Sequence, residues 1–158
     1  MDVRDFFEHT WAARARLLDA FDELTPDEWT REFDFSWKSV RNLFAHVVEV
    51  ERSWILEDIE RGKYVWGGDE ALERHYGTVA TARARAGEVQ EDTRRVLAAY
   101  VPSRLGETRT GLDINEREVP FTVEQILTHV FTHELRHQGQ LQAMLRLLGK
   151  KAPNADWI

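Results

Sequence analysis

The sequence predicts an all-α protein built as a four-helix bundle. Four long stretches carry apolar residues at the three- and four-residue spacing that lines one face of a helix. Start and stop signals bound most of those stretches. No linker, internal repeat or low-complexity tract divides the 158 residues. That length fits one domain, taken as 1–158, with enough chain to bury a real core.

The first helix is expected from Val3 to about Leu24, with Phe6, Phe7, Trp11, Leu17, Leu18 and Phe21 on its inner face and Asp2 as N-cap. Thr25-Pro26-Asp27-Glu28 opens a short helical turn. Thr25 caps it, Pro26 takes the first helical position and Glu28 closes a capping box. The second long helix starts near Ser36, its N-cap, and ends before Gly62. Val40, Leu43, Phe44, Val47, Val50 and Trp54 form its buried stripe. Arg61 suits the negative end of the helix dipole and Gly62 the left-handed C′ position. A loop with Tyr64, Trp66, Gly67 and Gly68 follows, then a short helical piece over Asp69 to Tyr76 that Gly77 interrupts. The third long helix runs from about Thr78 to Tyr100 on Val79, Ala82, Ala86, Val89, Val96 and Leu97; Pro102 and Gly106 end this region. Thr108, Thr110, Leu112, Ile114, Val119 and Phe121 then read as two short strands, a β-hairpin before the last helix, or as an extended crossover. The last helix opens at Thr122 with Gln125 as capping-box partner and ends at Gly149, with Pro153 shortly after.

Composition narrows the function classes. Hydrophobic content of 42% and charged content of 31% lie in the globular range, outside that of disordered chains. No apolar run approaches the roughly 20 residues that span a bilayer. The opening Met1-Asp2-Val3-Arg4-Asp5 lacks the basic-then-apolar layout of a secretion signal, so a soluble cytoplasmic protein is expected. There is no cysteine, which excludes disulfides and Cys-ligated zinc. Thiol chemistry would need a thiol supplied from outside. The formal net charge of −7 disfavours nucleic acid, whose phosphates need Lys and Arg. The cluster Arg83, Arg85, Arg94 and Arg95 sits among Glu88, Glu91 and Asp92 and reads as a solvated helix face. A small-molecule substrate is the expected partner, with no nucleic acid and no membrane.

Histidines carry the chemical signal. His129, His133 and His137 are four apart on the last helix, so they lie along one face. Ile126, Val130, Met144 and Leu148 share or flank that face, which points it inward. Imidazole is costly to bury without a partner. One buried histidine usually finds a hydrogen bond; a row of three calls for a common partner, and a metal ion is the simplest. Imidazoles at i and i+4 can reach one ion through bonds of about 2.0–2.1 Å. His46 lies between Leu43 and Val50 on the second helix and points inward too. Spacing leaves the ligand set open. His129 could be a fourth ligand, a donor behind the ligands or a pocket-lining group. Three protein ligands would leave an open position, as in catalytic zinc sites. Imidazole suits Zn²⁺, Ni²⁺ and Fe²⁺ alike, so the divalent metal is not named by its ligands. The competing reading is a set of hydrogen-bonded core histidines with no ion.

His133-Glu134-Leu135-Arg136-His137 also matches H-E-x-x-H, the zinc-peptidase motif in which the Glu is the general base. Those enzymes need a third ligand downstream. Neither Glu nor His follows His137, Gly139 stands one position early for the longer motif, and Asp156 is the only carboxylate left. A peptidase is therefore disfavoured, while Glu134 stays a candidate proton acceptor.

The stretch Ile126-Leu127-Thr128-His129-Val130-Phe131-Thr132-His133-Glu134-Leu135-Arg136-His137-Gln138-Gly139-Gln140-Leu141 resembles the signature of the DinB family of metalloenzymes. The segment Ser36 through Trp54, with Leu43, His46, Glu49 and Trp54, is similar to that family's second-helix signature, and Gly149, Pro153 and Asp156 to its ending. The resemblance implies an up-down-down-up bundle with a long crossover, often a homodimer. It implies a metal held by His46, His133 and His137, with His129 outside the triad. Some relatives use a low-molecular-weight thiol such as bacillithiol, mycothiol or glutathione, as S-transferases or isomerases. The family name refers to induction by DNA damage and does not imply DNA binding. The expected activity is then metal-dependent thiol transfer; the alternatives are a metal-dependent hydrolase or a non-catalytic, metal-stabilised stress protein. Arg136 is a candidate for a cofactor carboxylate, and Trp37, Tyr64 and Trp66 for a pocket mouth, against their commoner uses on the surface and in the core.

Overall fold

A computed structural model describes residues 2–100, 102–112, 115 and 117–154. Helix α1 (Val3–Phe21) starts as expected: Asp2 accepts from the Arg4 N–H and shares a capping box with Asp5. It stops at Phe21 rather than Leu24. Pro26 disfavours helical backbone in the residue before it, and Thr25 is accordingly extended, at φ −70 and ψ 160. Helix α2 (Pro26–Thr30) carries the Thr25–Glu28 capping box and buries Trp29, whose indole N–H donates to the Tyr76 carbonyl at 2.9 Å.

The start of α3 (Val40–Ser53) corrects one expectation. Ser36 has φ +54, a left-handed conformation unsuited to an N-cap, and Lys38 follows at φ +67. The cap is Ser39, extended at φ −138, whose hydroxyl accepts from the Asn42 N–H. The helix runs on into a π-helical turn, Trp54–Ile59, in which Glu60 N–H donates to Ile55 O. Arg61, not Gly62, takes the left-handed position, at φ +58. Gly62 is needed for a different reason. Its N–H bonds the Leu56 carbonyl at 2.7 Å, and a Cβ there would stand 2.8 Å from that oxygen. Val50 and Trp54, expected in the buried stripe, are only half-buried.

Helices α4 (Gly68–Tyr76) and α5 (Val79–Tyr100) fall where the periodicity places them. The ambiguous segment is a hairpin: β1 (Thr108–Leu112) pairs antiparallel with β2 (Glu118–Thr122), Thr108 opposite Thr122. Thr122 and Gln125 form the capping box of α6 (Val123–Leu147), and Gly149 at φ +74 ends it. Ile114 and Asp156 lie outside the described residues.

Two apolar clusters reveal the bundle's topology. One joins Leu17, Phe21, Leu43, Phe44, Ala86, Val89, Met144 and Leu145, from the end of α1, the starts of α3 and α5, and the end of α6. The other joins Phe7, Trp11, Ile55, Ile59, Val96, Leu97, Ile126 and Leu127, from the opposite ends of the same helices. The four long helices therefore run up, down, down, up, and α4 with its flanking loops is the crossover. Helices α1 and α3 each pack on α5 and α6.

Between the clusters lies a buried polar layer with a member from every long helix. Arg14 of α1 is 2% exposed and sits between two carboxylates. It donates through Nε to Glu134 Oε1 of α6 at 2.9 Å and through Nη2 to both Glu134 and Glu51 of α3. Thr93 of α5 donates to Glu51 at 2.6 Å, and Gln138 of α6 donates to Glu134 and to the Thr10 carbonyl. Arg85 is another departure from the expected solvated face. It is half-buried and grips Glu49, whereas Arg83, Arg94 and Arg95 pair with surface carboxylates of α1 and α3's extension.

Candidate metal centre

Helical spacing brings His133 and His137 to the buried inner side of α6, facing half-buried His46 on α3. One ring nitrogen from each can be chosen so that all three lie within 4.8 Å of one another. Nε2 of His46 and Nε2 of His133 are 2.9 Å apart. Two imidazole nitrogens on one tetrahedral ion stand about 3.3 Å apart, as bonds of about 2.0–2.1 Å require, so small side-chain adjustments would let the three residues hold a single ion.

The electrostatics favour ligation. Burial, then the neighbouring imidazole of His137, then Arg136 push His46 down to about 4. Burial and then the flanking histidines push His133 down to about 3. His137 is lowered as well, by burial first. All three are neutral near pH 7, the form that binds metal without a proton to displace.

Local contacts orient the rings. Nδ1 of His137 faces Gln140 Oε1 at 2.5 Å, and the same oxygen accepts from the Ser36 hydroxyl at 3.0 Å. An acceptor at Nδ1 keeps the proton there and leaves the Nε2 lone pair for an ion. Trp37 stacks on His46, with centroids 4.0 Å apart and planes 21° apart. The loop that carries Ser36 and Trp37, with its two left-handed residues, thus contacts both sides of the cluster.

The remaining sequence candidates have different placements. His129, expected to face inward, is exposed; it lies against Trp54 at 5.0 Å, with its ring centroid 5.9 Å from that of His133. Arg136 is exposed, with Nη2 3.3 Å from His137 Nε2, so its positive charge sits at the mouth of the cluster. Glu134 is buried and turned to Arg14; burial raises its pKa, opposed by that guanidinium. Gln138 bonds on the same far side, while Gly139 is exposed.

A cavity of about 420 Å³ adjoins His46. Trp37, Tyr64 and Trp66 line it as the pocket-mouth reading anticipated, together with Ala45, Val50 and Leu72. Trp37 is 49% and Trp66 39% exposed, so both rings stand at an entrance. Asn42, Glu49 and Ser53 also line the cavity, and Glu49 is already saturated. It accepts from Tyr64 at 2.6 Å, from Tyr76 at 2.7 Å and from Arg85 at 2.8 and 3.1 Å. Glu49 and Gln140 are the residues that sequence reading undervalued. The i, i+3 step from His46 to Glu49 and from His137 to Gln140 was the signal available for each.

Comparison with known proteins agrees with this fold. The DinB family pattern matches residues 1–158. YizA of Bacillus subtilis (strain 168) is 23% identical over 155 residues, spanning 97% of this chain and 92% of that protein. The crystal structure of a DinB-like protein from Bacillus cereus superposes with a TM-score of 0.69 at 16% identity, over 97% of each chain. That of the DinB-like protein YjoA from Bacillus subtilis gives 0.64 at 17% identity, over 96% of this chain and 97% of that one. The two crystal structures share its fold.

Proposed function

The chain belongs to the DinB family, and on that premise we propose that it is a metal-dependent transferase. His46, His133 and His137 hold one divalent ion (zinc, nickel or iron), and an exogenous low-molecular-weight thiol reacts beside it with a small electrophile. The observation that carries this reading is the convergence of three neutral imidazoles within 4.8 Å at the edge of a largely apolar cavity.

A divalent ion, when bound, supplies Lewis acidity that lowers the pKa of a thiol placed next to it. The chain's own residues do the rest. Gln140 holds His137 in the tautomer that presents Nε2. Trp37 covers His46 and limits water at the cluster. Arg136 offers a guanidinium at the mouth, suited to a carboxylate of the thiol. The apolar walls of the cavity receive the electrophile. With no cysteine in the chain, the attacking sulfur comes from the thiol. Hydrolysis is less well supported, because Glu134, the residue a peptidase-type mechanism would use as base, is engaged by Arg14 on the far side of α6. The same reading includes a cytoplasmic homodimer.

Zinc calorimetry and a thiol-consumption assay test the proposal. The wild type is expected to bind one equivalent of zinc and to consume 1-chloro-2,4-dinitrobenzene only with both metal and a thiol present. His46→Ala is expected to lose most of the metal affinity. Metal-loaded protein with neither thiol binding nor thiol-dependent turnover would overturn the proposal.

A further inference from the structure

Beside the apolar cavity lies a second pocket of about 300 Å³ with the opposite character. Arg52, Lys63, Arg74, Arg85 and His75 line it, and no Asp or Glu does. That is unexpected in a chain with 28 acidic residues against 21 basic ones. The two pockets share Tyr64 and Trp66 as a common wall.

The cations around this pocket are incompletely neutralised. Arg52 reaches Asp92 only at 3.6 Å, and its Nε is buried without a hydrogen-bond partner. Arg74 pairs with Glu70, but both side chains are mostly exposed, where such a pair contributes little. Lys63 is exposed and makes no ion pair among the described residues. Arg85 is paired with Glu49 and Glu88 and adds little net charge, so Arg52, Lys63 and Arg74 carry the positive charge of the pocket. From His46 to Arg52 is six positions along α3, or about 9 Å at 1.5 Å per residue. Six steps of about 100° also turn Arg52 about 120° around α3 from His46, so a molecule reaching both pockets passes Tyr64 and Trp66, which line both.

We propose that the basic pocket binds the anionic end of the same small molecule whose apolar body fills the cavity beside His46. The substrate class is then an amphipathic oxyanion: a compact apolar or aromatic body ending in a carboxylate, sulfonate or phosphate. Guanidinium groups suit all three oxyanions, and the aromatic walls select the body. This inference rests on the reading of that cavity as the substrate site, but its test needs no metal.

Metal-free full-length protein is titrated by fluorescence with 1-anilinonaphthalene-8-sulfonate and with N-phenyl-1-naphthylamine, which share a ring system and differ by the sulfonate. The sulfonate is expected to bind about tenfold more tightly, because several cations converge on one anion. The preference should shrink at 1 M salt, where the screening length falls to about 3 Å. Lys63→Glu/Arg74→Gln changes only exposed side chains and should remove the preference while leaving the neutral probe unaffected. Val50→Trp, which fills the cavity, should weaken both probes. Displacement by hexanoate or by hexyl phosphate identifies the favoured oxyanion. Equal binding of the two probes to wild type, unchanged sulfonate affinity in Lys63→Glu/Arg74→Gln, intact binding in Val50→Trp, or displacement by neither competitor would each overturn the proposal. A protein that takes up no metal yet shows the charge-dependent binding would defeat the transferase reading alone; the reverse result would defeat this one alone.

Discussion

Gln140 accepts the Nδ1 proton of His137 and the hydroxyl proton of Ser36 through a single oxygen. Loss of such an orienting partner typically lowers metal affinity by about 10–100-fold. Gln140→Leu is therefore expected to weaken zinc binding by about that factor while circular dichroism stays unchanged, and Gln140→Glu, which keeps an acceptor, should restore much of it. Equal affinities for Gln140→Leu and wild type would show that the ring needs no such support. The histidine row of α6 and the inward position of His46 on α3 could each be read from spacing, because positions three or four apart share a helix face. The direction of Glu134 could not. It lies one position past His133, about 100° around the helix, and only the presence of Arg14 on α1 says what waits there.

The long helices are tied together by the Arg14 layer. One guanidinium faces two buried carboxylates, and removing it would leave negative charge without water or partner. Arg14→Leu is expected to cost about 3–5 kcal/mol in urea unfolding. Replacing Arg14, Glu51 and Glu134 together by apolar residues should recover most of that loss, because the desolvation cost then disappears as well. A loss below about 1 kcal/mol for the single variant would mean that water reaches the layer, as surface pairs at that level do. A lone arginine on the apolar stripe of α1, between Trp11 and Leu17, was the hint in the sequence; its partners were not legible from there. The π-helical turn and the Ser39 cap were illegible for a related reason. Ser36 carries the same capping chemistry, but the loop that reaches over His46 forces it to positive φ.

At the scale of the whole bundle, the histidines couple stability to pH. His46 is held at about 4 and His133 at about 3, against 6.5 for an unperturbed imidazole. Between those values the unfolded chain binds protons that the folded chain refuses. Stability of the metal-free protein therefore falls as pH drops from about 6.5 toward about 4, and is indifferent to these groups above that window. Thermal unfolding at pH 7.5, 6 and 5 should show the decline, and it should flatten in His46→Ala/His133→Ala. An identical slope in that variant would assign the effect elsewhere. Zinc at about one hundred times its dissociation constant should add about 2.7 kcal/mol at pH 7.5 and less at pH 5, where protons compete for the same nitrogens. Among the described residues no helix is long and apolar enough to cross a membrane.

Helix positions, the caps at Asp2, Thr25 and Thr122, and the histidine row on α6 follow from residues within about four positions of one another, which is the range of helical hydrogen bonds and periodicity. Those features were already present in the chain before any folding was considered. The meeting of Arg14 with Glu134 spans 120 positions, that of His46 with His133 spans 87, and that of Arg85 with Glu49 spans 36. Such pairings depend on how each helix is rotated against its neighbours, which packing of the whole core sets and no local pattern encodes. Tertiary contacts accordingly turned Glu134 away from the metal centre, moved His129 to the surface, and set an apolar cavity against a basic pocket across Tyr64 and Trp66.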